Sequence, residues 1–130
     1  INYRVQRPNA PIAILQGRST ASAGELLILA LRGTDIPTRS FGDSTYGVTT
    51  VPYGIYLEPD SAFLNITGAI MFDRTGQRYG GAILPDVFVS GPRARDLQTT
   101  PSPTDPVIQA AQQWLAARPE CGGAPTAARG

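Results

Sequence analysis

The chain has 130 residues, 42% hydrophobic and 16% charged, which is one domain's worth of globular chain. Eleven basic and ten acidic side chains leave a net charge of +1 with no run of like charge, which argues against a nucleic-acid-binding arm, a membrane-surface patch and an acidic tail. All eleven basic residues are Arg: without Lys or His the chain cannot build a His metal site, a Ser-His pair or a Ser-Lys pair by itself, and the lone Cys121 excludes a Cys-rich zinc site and an internal disulfide framework.

No metal or cofactor is therefore expected, and no apolar stretch of about 18 residues offers a membrane span. A start at Ile1, without an initiator Met or a signal peptide, reads as a mature product or a piece of a larger polypeptide.

Ala10–Gln16 is a short apolar run ended by Gly17 and predicts a buried strand, of the kind found in parallel sheets. A cluster of small residues, Arg18 to Gly24, leads into the Leu- and Ala-rich stretch Leu26–Arg32. The pattern predicts a helix over Ser22–Arg32 with Gly33 as its stop. That helix is apolar on nearly all sides, which predicts burial. With Thr38–Phe41 as the next strand, the first 45 residues read as β-α-β with a right-handed crossover.

The middle is rich in strand and turn signals. Gly47–Leu57 carries Val, Thr and Tyr, Glu58–Ser61 is a turn, and Ala62–Phe72 is a strand followed by the turn Asp73–Gln77. Ala82–Leu84 and the short strand Val87–Val89 close this hairpin-rich section. Gly91–Pro106 reads as a loop. Thr104 or Asp105 caps a last helix with Pro106 at its first position, running through Val107–Ala117 to a stop near Pro119. Val107, Ala110, Ala111, Trp114 and Leu115 share one face of it, which predicts docking on the body. Residues 121–130 read as a disordered tail.

Chemistry concentrates in Ser19-Thr20-Ala21-Ser22-Ala23-Gly24-Glu25. A serine at the first turn of a helix lies beside backbone amides without helical partners and at the positive end of the helix dipole. Such amides can hold a developing oxyanion, and small neighbours let a carbonyl approach. Ser22-Ala23-Gly24-Glu25 is equally a capping box, with Ser22 at the N-cap and Glu25 reaching back. Both readings stand on the residues alone.

The runs Ile12-Ala13-Ile14-Leu15-Gln16-Gly17 and Thr20-Ala21-Ser22-Ala23-Gly24-Glu25 resemble the nucleophile region of the C-terminal processing (tail-specific) serine peptidases, a family that includes tricorn-like and retinoid-binding-protein-like members. Thr38-Arg39-Ser40-Phe41-Gly42, Leu57–Thr67, Asp73-Arg74-Thr75-Gly76 and Leu84-Pro85-Asp86-Val87 follow in the family's order, so the resemblance covers roughly residues 10 to 90. It implies an α/β (α+β) fold with a crotonase-like βαβ core, the hairpin-rich section and the C-terminal helix, with residues 1–120 as the C-terminal half of a catalytic domain. It implies peptide-bond hydrolysis through an acyl-enzyme, with Ser22 as nucleophile and the Ala23 amide as an oxyanion donor. A second donor would come from a glycine-containing loop upstream.

One departure bears on the mechanism. Where the serine-lysine branch has Phe-Gly-Lys-Gly, this chain has Phe41-Gly42-Asp43-Ser44. A carboxylate near its reference pKa is too weak a base for a serine hydroxyl at neutral pH. The other branch takes its histidine from upstream of the nucleophile strand, which implies a base supplied by an N-terminal segment or companion chain. A polypeptide substrate and a cell-envelope (periplasmic) or extracellular location are implied in the same way.

Two other readings stay open. The chain is a binding module that keeps the peptidase fold without a base, or a structural domain in which Ser22 is only a helix cap. Among lesser candidates, Asp43, Glu58, Asp60 and Asp73 could orient a histidine but fall in predicted turns. Asn65-Ile66-Thr67 is a glycosylation sequon within a strand. Tyr46, Tyr53 and Tyr56 read as packing residues, Ser40 and Ser44 as loop serines. Cys121 is a free thiol or pairs outside the chain.

Overall fold

The computed structural model describes residues 5–58, 62–91 and 102–121. Most of the predicted 58–61 turn, including Asp60, most of the 91–106 loop and the tail after Cys121 lie outside them. The expected α/β class holds: among the described residues six strands, β1 (Ile12–Gln16), β2 (Thr38–Gly42), β3 (Thr50–Leu57), β4 (Ala62–Phe72), β5 (Arg78–Tyr79) and β6 (Val87–Phe88), accompany helices α1 (Ala23–Leu31) and α2 (Pro106–Ala116). They fall into two compact units, one of residues 1–16, 34–43 and 85–130, the other of residues 17–33 and 44–84.

The first unit holds a three-stranded sheet of order β1-β2-β6. Strands β1 and β2 run parallel in the register Ile12↔Thr38 to Gln16↔Gly42, the pairing the β-α-β reading requires. The ladder opens at Ile12, whose N–H donates to Pro37 O at 2.9 Å; Pro11 has no N–H to give, so the strand begins later than the apolar run. As an edge strand β1 is half-buried, and Leu15 is exposed, which corrects the expectation of a buried strand. Central β2 is the buried one at Ser40, Phe41 and Gly42.

Helix α2 lies on β1 and β2. Asp105 is its cap, accepting from Val107 N at 2.8 Å, with Pro106 in the first turn where a missing N–H costs nothing. The expected face is the docked one: Ala111 is buried, and Val107, Ala110, Trp114 and Leu115 are half-buried. Trp114 meets Phe41 with ring centroids 5.9 Å apart. Burying a ring such as Phe41 contributes about 2–3 kcal/mol.

At the end of β2 the chain comes so close to β1 that only glycine fits. Gly42 has φ 123°, and a Cβ there would lie 2.0 Å from Gln16 O. Beyond it, Asp43 N donates to Gln16 O at 3.2 Å and Val89 N to Gly42 O at 2.9 Å. Ser40 is no loop serine: it is a buried strand residue whose N–H and hydroxyl both donate to Asp86 Oδ2, at 2.7 and 2.8 Å.

The second unit holds α1 and the sheet β3-β4-β5. Strands β3 and β4 pair antiparallel from Leu57↔Ala62 to Thr50↔Ile70, with an irregularity at Val51/Pro52, where proline cannot donate to a ladder. The turn after β4 is built by Asp73, whose Oδ1 accepts from Thr75 N, Thr75 Oγ1 and Gln77 N. The Tyr79 hydroxyl donates to its Oδ2 at 2.8 Å, and Arg32 in turn donates to Tyr79 Oη at 3.2 Å.

Helix α1 is one residue shorter at each end than predicted, with Ser22 and Arg32 as its caps. Its burial is one-sided, contrary to expectation. Glu25, Ile28 and Leu29 turn inward at i, i+3 and i+4, while Leu26 and Leu27 are exposed. A nine-residue helix presents only one stripe to its own sheet, whatever the hydropathy of the rest. Much of the hairpin is likewise uncovered: Tyr53, Ile55, Leu57, Leu64 and Ile66 alternate onto one face and all are exposed.

Candidate active site

The site is built where the small-residue loop enters α1. The loop closes on itself, Thr20 N donating to Gly17 O at 2.8 Å and Gly17 N to Thr20 Oγ1 at 3.2 Å. Ala21 O then accepts from Gly24 N at 3.0 Å, which tightens the approach to the helix. Ser22 sits at the apex, solvent-exposed, with φ 51° and ψ −112°. Among the described residues it is the one non-glycine with positive φ.

That backbone bears on both readings of the sequence, since Ser22 is also the N-cap of α1. A serine acting simply as an N-cap adopts extended backbone and has no reason to be strained. A side chain with Cβ at positive φ crowds the neighbouring backbone and persists only where the surroundings impose it. A sharp, strained turn before a helix is also how a nucleophilic serine is lifted clear of its neighbours.

Both peptide planes flanking Ser22 are held. The plane before it carries Ala21 O, bonded to Gly24 N, and Ser22 N, which donates to Glu25 Oε2 at 2.8 Å. The plane after it carries Ser22 O, which accepts from Leu26 N at 2.9 Å. The expected capping box is thus present, with Ser22 at the N-cap and Glu25 reaching back to its amide. The first helical amide, that of Ala23, follows directly; a helix offers no acceptor of its own to that N–H, and Ala23 is exposed.

Glu25 is fully buried and reaches further than a cap. Its Oε1 accepts from Thr45 Oγ1 at 2.5 Å and from Gly47 N at 2.8 Å. Thr45 Oγ1 in turn accepts from Ile83 N at 2.8 Å, and Tyr46 N donates to Thr20 O at 2.8 Å. Residues 45, 46 and 47 are therefore each anchored to the segment that carries Ser22. Gly47 has φ 102°, and a Cβ there would lie 2.9 Å from Ala82 N, so the loop needs glycine at that point. The glutamate was legible only as one arm of a capping box; Thr45 and Gly47 gave no signal in sequence.

The lesser candidates fall elsewhere. Asp73 is occupied by its turn: the Thr75 hydroxyl hydrogen bond leads in holding its carboxyl below the usual carboxylate range, helped by Tyr79 and by the Thr75 and Gln77 amides and opposed by desolvation. Burial, ahead of its neighbours, pushes Tyr79 up. Glu58 is exposed at the end of β3, Asp43 follows β2 in the first unit, and Asp60 is outside the described residues. Tyr46, Tyr53 and Tyr56 are all well exposed, at odds with a packing role, although Tyr56 meets Phe63 across the hairpin with ring centroids 5.0 Å apart. Asn65 is exposed in β4, Ser44 is in a loop as expected, and Cys121 is exposed at the end of a short 3-10 turn. Among the described residues no cluster of potential metal ligands occurs and no helix is long and apolar enough to cross a membrane.

Comparison with known proteins agrees with the resemblance read from the motifs. The sequence profile of Peptidase family S41 matches residues 2–89, so the chain belongs to that family. The nisin-resistance protein of Lactococcus lactis is 35% identical over 91 residues, which cover 68% of this chain and 28% of that protein. A lipoprotein of Streptococcus agalactiae has a similar structure, with TM-score 0.62 and 32% identity over 87% of this chain and 34% of its own. A candidate peptidase of Parabacteroides merdae shares the fold at TM-score 0.58 and 23% identity, over 81% of this chain and 31% of its own. The chain thus spans about a third of the length of these relatives.

Proposed function

We propose that this chain carries the nucleophile of a serine peptidase. Ser22 Oγ attacks the scissile carbonyl, its proton passes to a general base and on to the departing amine, and the acyl-enzyme left on Ser22 is released by water. The Ala23 N–H, at the positive end of α1, donates to the oxyanion that develops on the carbonyl oxygen. The base comes from outside residues 1–130, since the chain has neither Lys nor His and a solvated carboxylate is too weak to serve. An N-terminal segment or a companion chain supplies it, and the catalytic domain extends beyond residues 1–120. In this reading the core is crotonase-like.

The observation that carries this reading is the left-handed backbone of Ser22 at the entry to α1, a strain that a helix cap does not require. Family membership supports a polypeptide substrate, taken in extended form. A lipoprotein and a nisin-resistance protein among the relatives support a place at the cell envelope or outside the cell.

Fluorophosphonate labelling followed by peptide mass spectrometry tests it. The full-length polypeptide is expected to take one adduct on Ser22 and to lose it in the Ser22→Ala variant, while residues 1–130 alone label far more slowly. A full-length protein that folds and takes no adduct would leave a binding module with a peptidase fold.

A further inference from the structure

We infer that Glu25 is a positioning residue for Ser22: its carboxyl group holds the serine in its left-handed turn and locks that turn to the 45–47 loop. The consequence for reactivity rests on the reading of Ser22 as nucleophile; the conformational part does not.

A glutamate that only completes a capping box lies at the helix surface, with one oxygen on one amide and the other in water. Glu25 has no surface at all, and both oxygens are used, on different segments. Oε2 takes Ser22 N–H; Oε1 takes the Thr45 hydroxyl and Gly47 N–H, some twenty residues on. A buried carboxyl group is tolerated only when its lone pairs find donors, and here three donors converge. The Thr45 hydroxyl is fixed in turn by Ile83 N–H, so it must donate toward Glu25. An unbroken line of hydrogen bonds runs from Ile83 through Thr45 and Glu25 to the amide of Ser22.

This line matters because of what it grips. Ser22 keeps an unfavourable φ only while both flanking peptide planes are held. The plane after Ser22 is fixed by the helix itself, through Leu26 N. The plane before it is fixed by the Gly24 N bond to Ala21 O and by Glu25. Without the Glu25 bond that plane is left to the single Gly24 N bond, its rotation becomes easier, and Ser22 spends more time in the extended backbone of an ordinary cap, with its hydroxyl away from the Ala23 amide it has to work beside. Glu25 touches no substrate in this scheme; it acts through the backbone of its neighbour three residues away.

The variants Glu25→Gln, Thr45→Val and Thr45→Ser separate this role from simple stability. Glutamine offers one acceptor oxygen, and its amide nitrogen must face a donor at either Ser22 or Gly47. In Glu25→Gln, hydrogen exchange of whichever amide, Ser22 or Gly47, then faces the side-chain nitrogen is expected to accelerate about tenfold, the scale of one lost buried hydrogen bond. Fluorophosphonate labelling of Ser22 in the full-length polypeptide is expected to slow by a similar factor. Thr45→Val should lose part of both signals and Thr45→Ser, which keeps the hydroxyl, should restore them. Glu25→Gln with Ser22 amide exchange, Gly47 amide exchange and labelling all within about twofold of wild type overturns the proposal. Equal behaviour of Thr45→Ser and Thr45→Val also overturns it, and that pair decides if Glu25→Gln does not fold. A wild-type protein that takes no label refutes the nucleophile reading, while amide exchange in the same variants still judges Glu25.

Discussion

Replacing Ser22 by glycine and by alanine gives opposite results depending on whether its backbone is strained or merely capping. A residue with a Cβ held at φ 51°, ψ −112° carries about 1–3 kcal/mol of strain. Glycine adopts that conformation freely but gives up about 0.5–1 kcal/mol more chain entropy on folding. The difference leaves Ser22→Gly more stable than wild type by roughly 1 kcal/mol, whereas Ser22→Ala keeps the strain and gains nothing. If Ser22 were simply a cap, alanine would cost about 1 kcal/mol and glycine a few tenths, with no variant above wild type. Urea unfolding followed by circular dichroism, with unchanged m, reads the order directly; at this chain length about 1 kcal/mol corresponds to some 3–5 °C in Tm. A Ser22→Gly protein less stable than wild type would refute the strain argument, and with it the observation on which the nucleophile assignment rests.

Two further predictions concern the frame around the site. Gly42→Ala places a Cβ 2.0 Å from Gln16 O at φ 123°, and is expected to destabilise by about 3 kcal/mol or more, visible as a large fall in urea midpoint; a midpoint within experimental error of wild type would show that the β1–β2 approach relaxes freely. The carboxyl group of Asp73 lies below its ordinary range in the folded state, so its contribution to stability is complete above the unfolded value of about 3.9 and is lost as pH falls through the folded value. Asp73→Asn should remove that part of the acid limb in urea titrations between pH 2 and 7, and an acid limb of unchanged steepness would show that the Thr75, Gln77 and Tyr79 bonds do not favour the ionised form.

Local signals carried much of the fold into the sequence. Pro106 following Asp105 marks a helix start with one physical meaning, and the spacing of Val107, Ala111, Trp114 and Leu115 marks its docked face; both are legible in sequence because they depend on the helix alone. The errors concern burial. Leu15, Leu26, Leu27 and the tyrosines of β3 are apolar or aromatic in sequence yet exposed, because burial depends on which elements lie opposite, and that is a tertiary fact. Ser40 is the converse case, a polar residue that reads as a loop serine until Asp86, 46 residues away, is brought against it.

The site divides in the same manner. The run from Thr20 to Glu25 announced a tight entry into a helix, and it could be weighed as a cap or as a nucleophile; it could not be settled, since both use a small polar residue before a helix with an acidic residue three positions on. What the structure adds to the motif is the sign of one dihedral angle and the destination of the second oxygen of Glu25. Neither is a property of the motif. The dihedral is imposed by bonds on both sides of Ser22, and the second oxygen depends on a loop that returns from Thr45 to Gly47 with a glycine at the one position where no side chain fits. A chain with the same six residues and a different 45–47 loop would, on the inference drawn for Glu25, keep the capping box and release Ser22 to ordinary backbone. On that inference the Thr20–Glu25 motif is not sufficient for the strained turn, and the residues that complete it are ones whose sequence context, Ser44-Thr45-Tyr46-Gly47, carries no catalytic signature of its own.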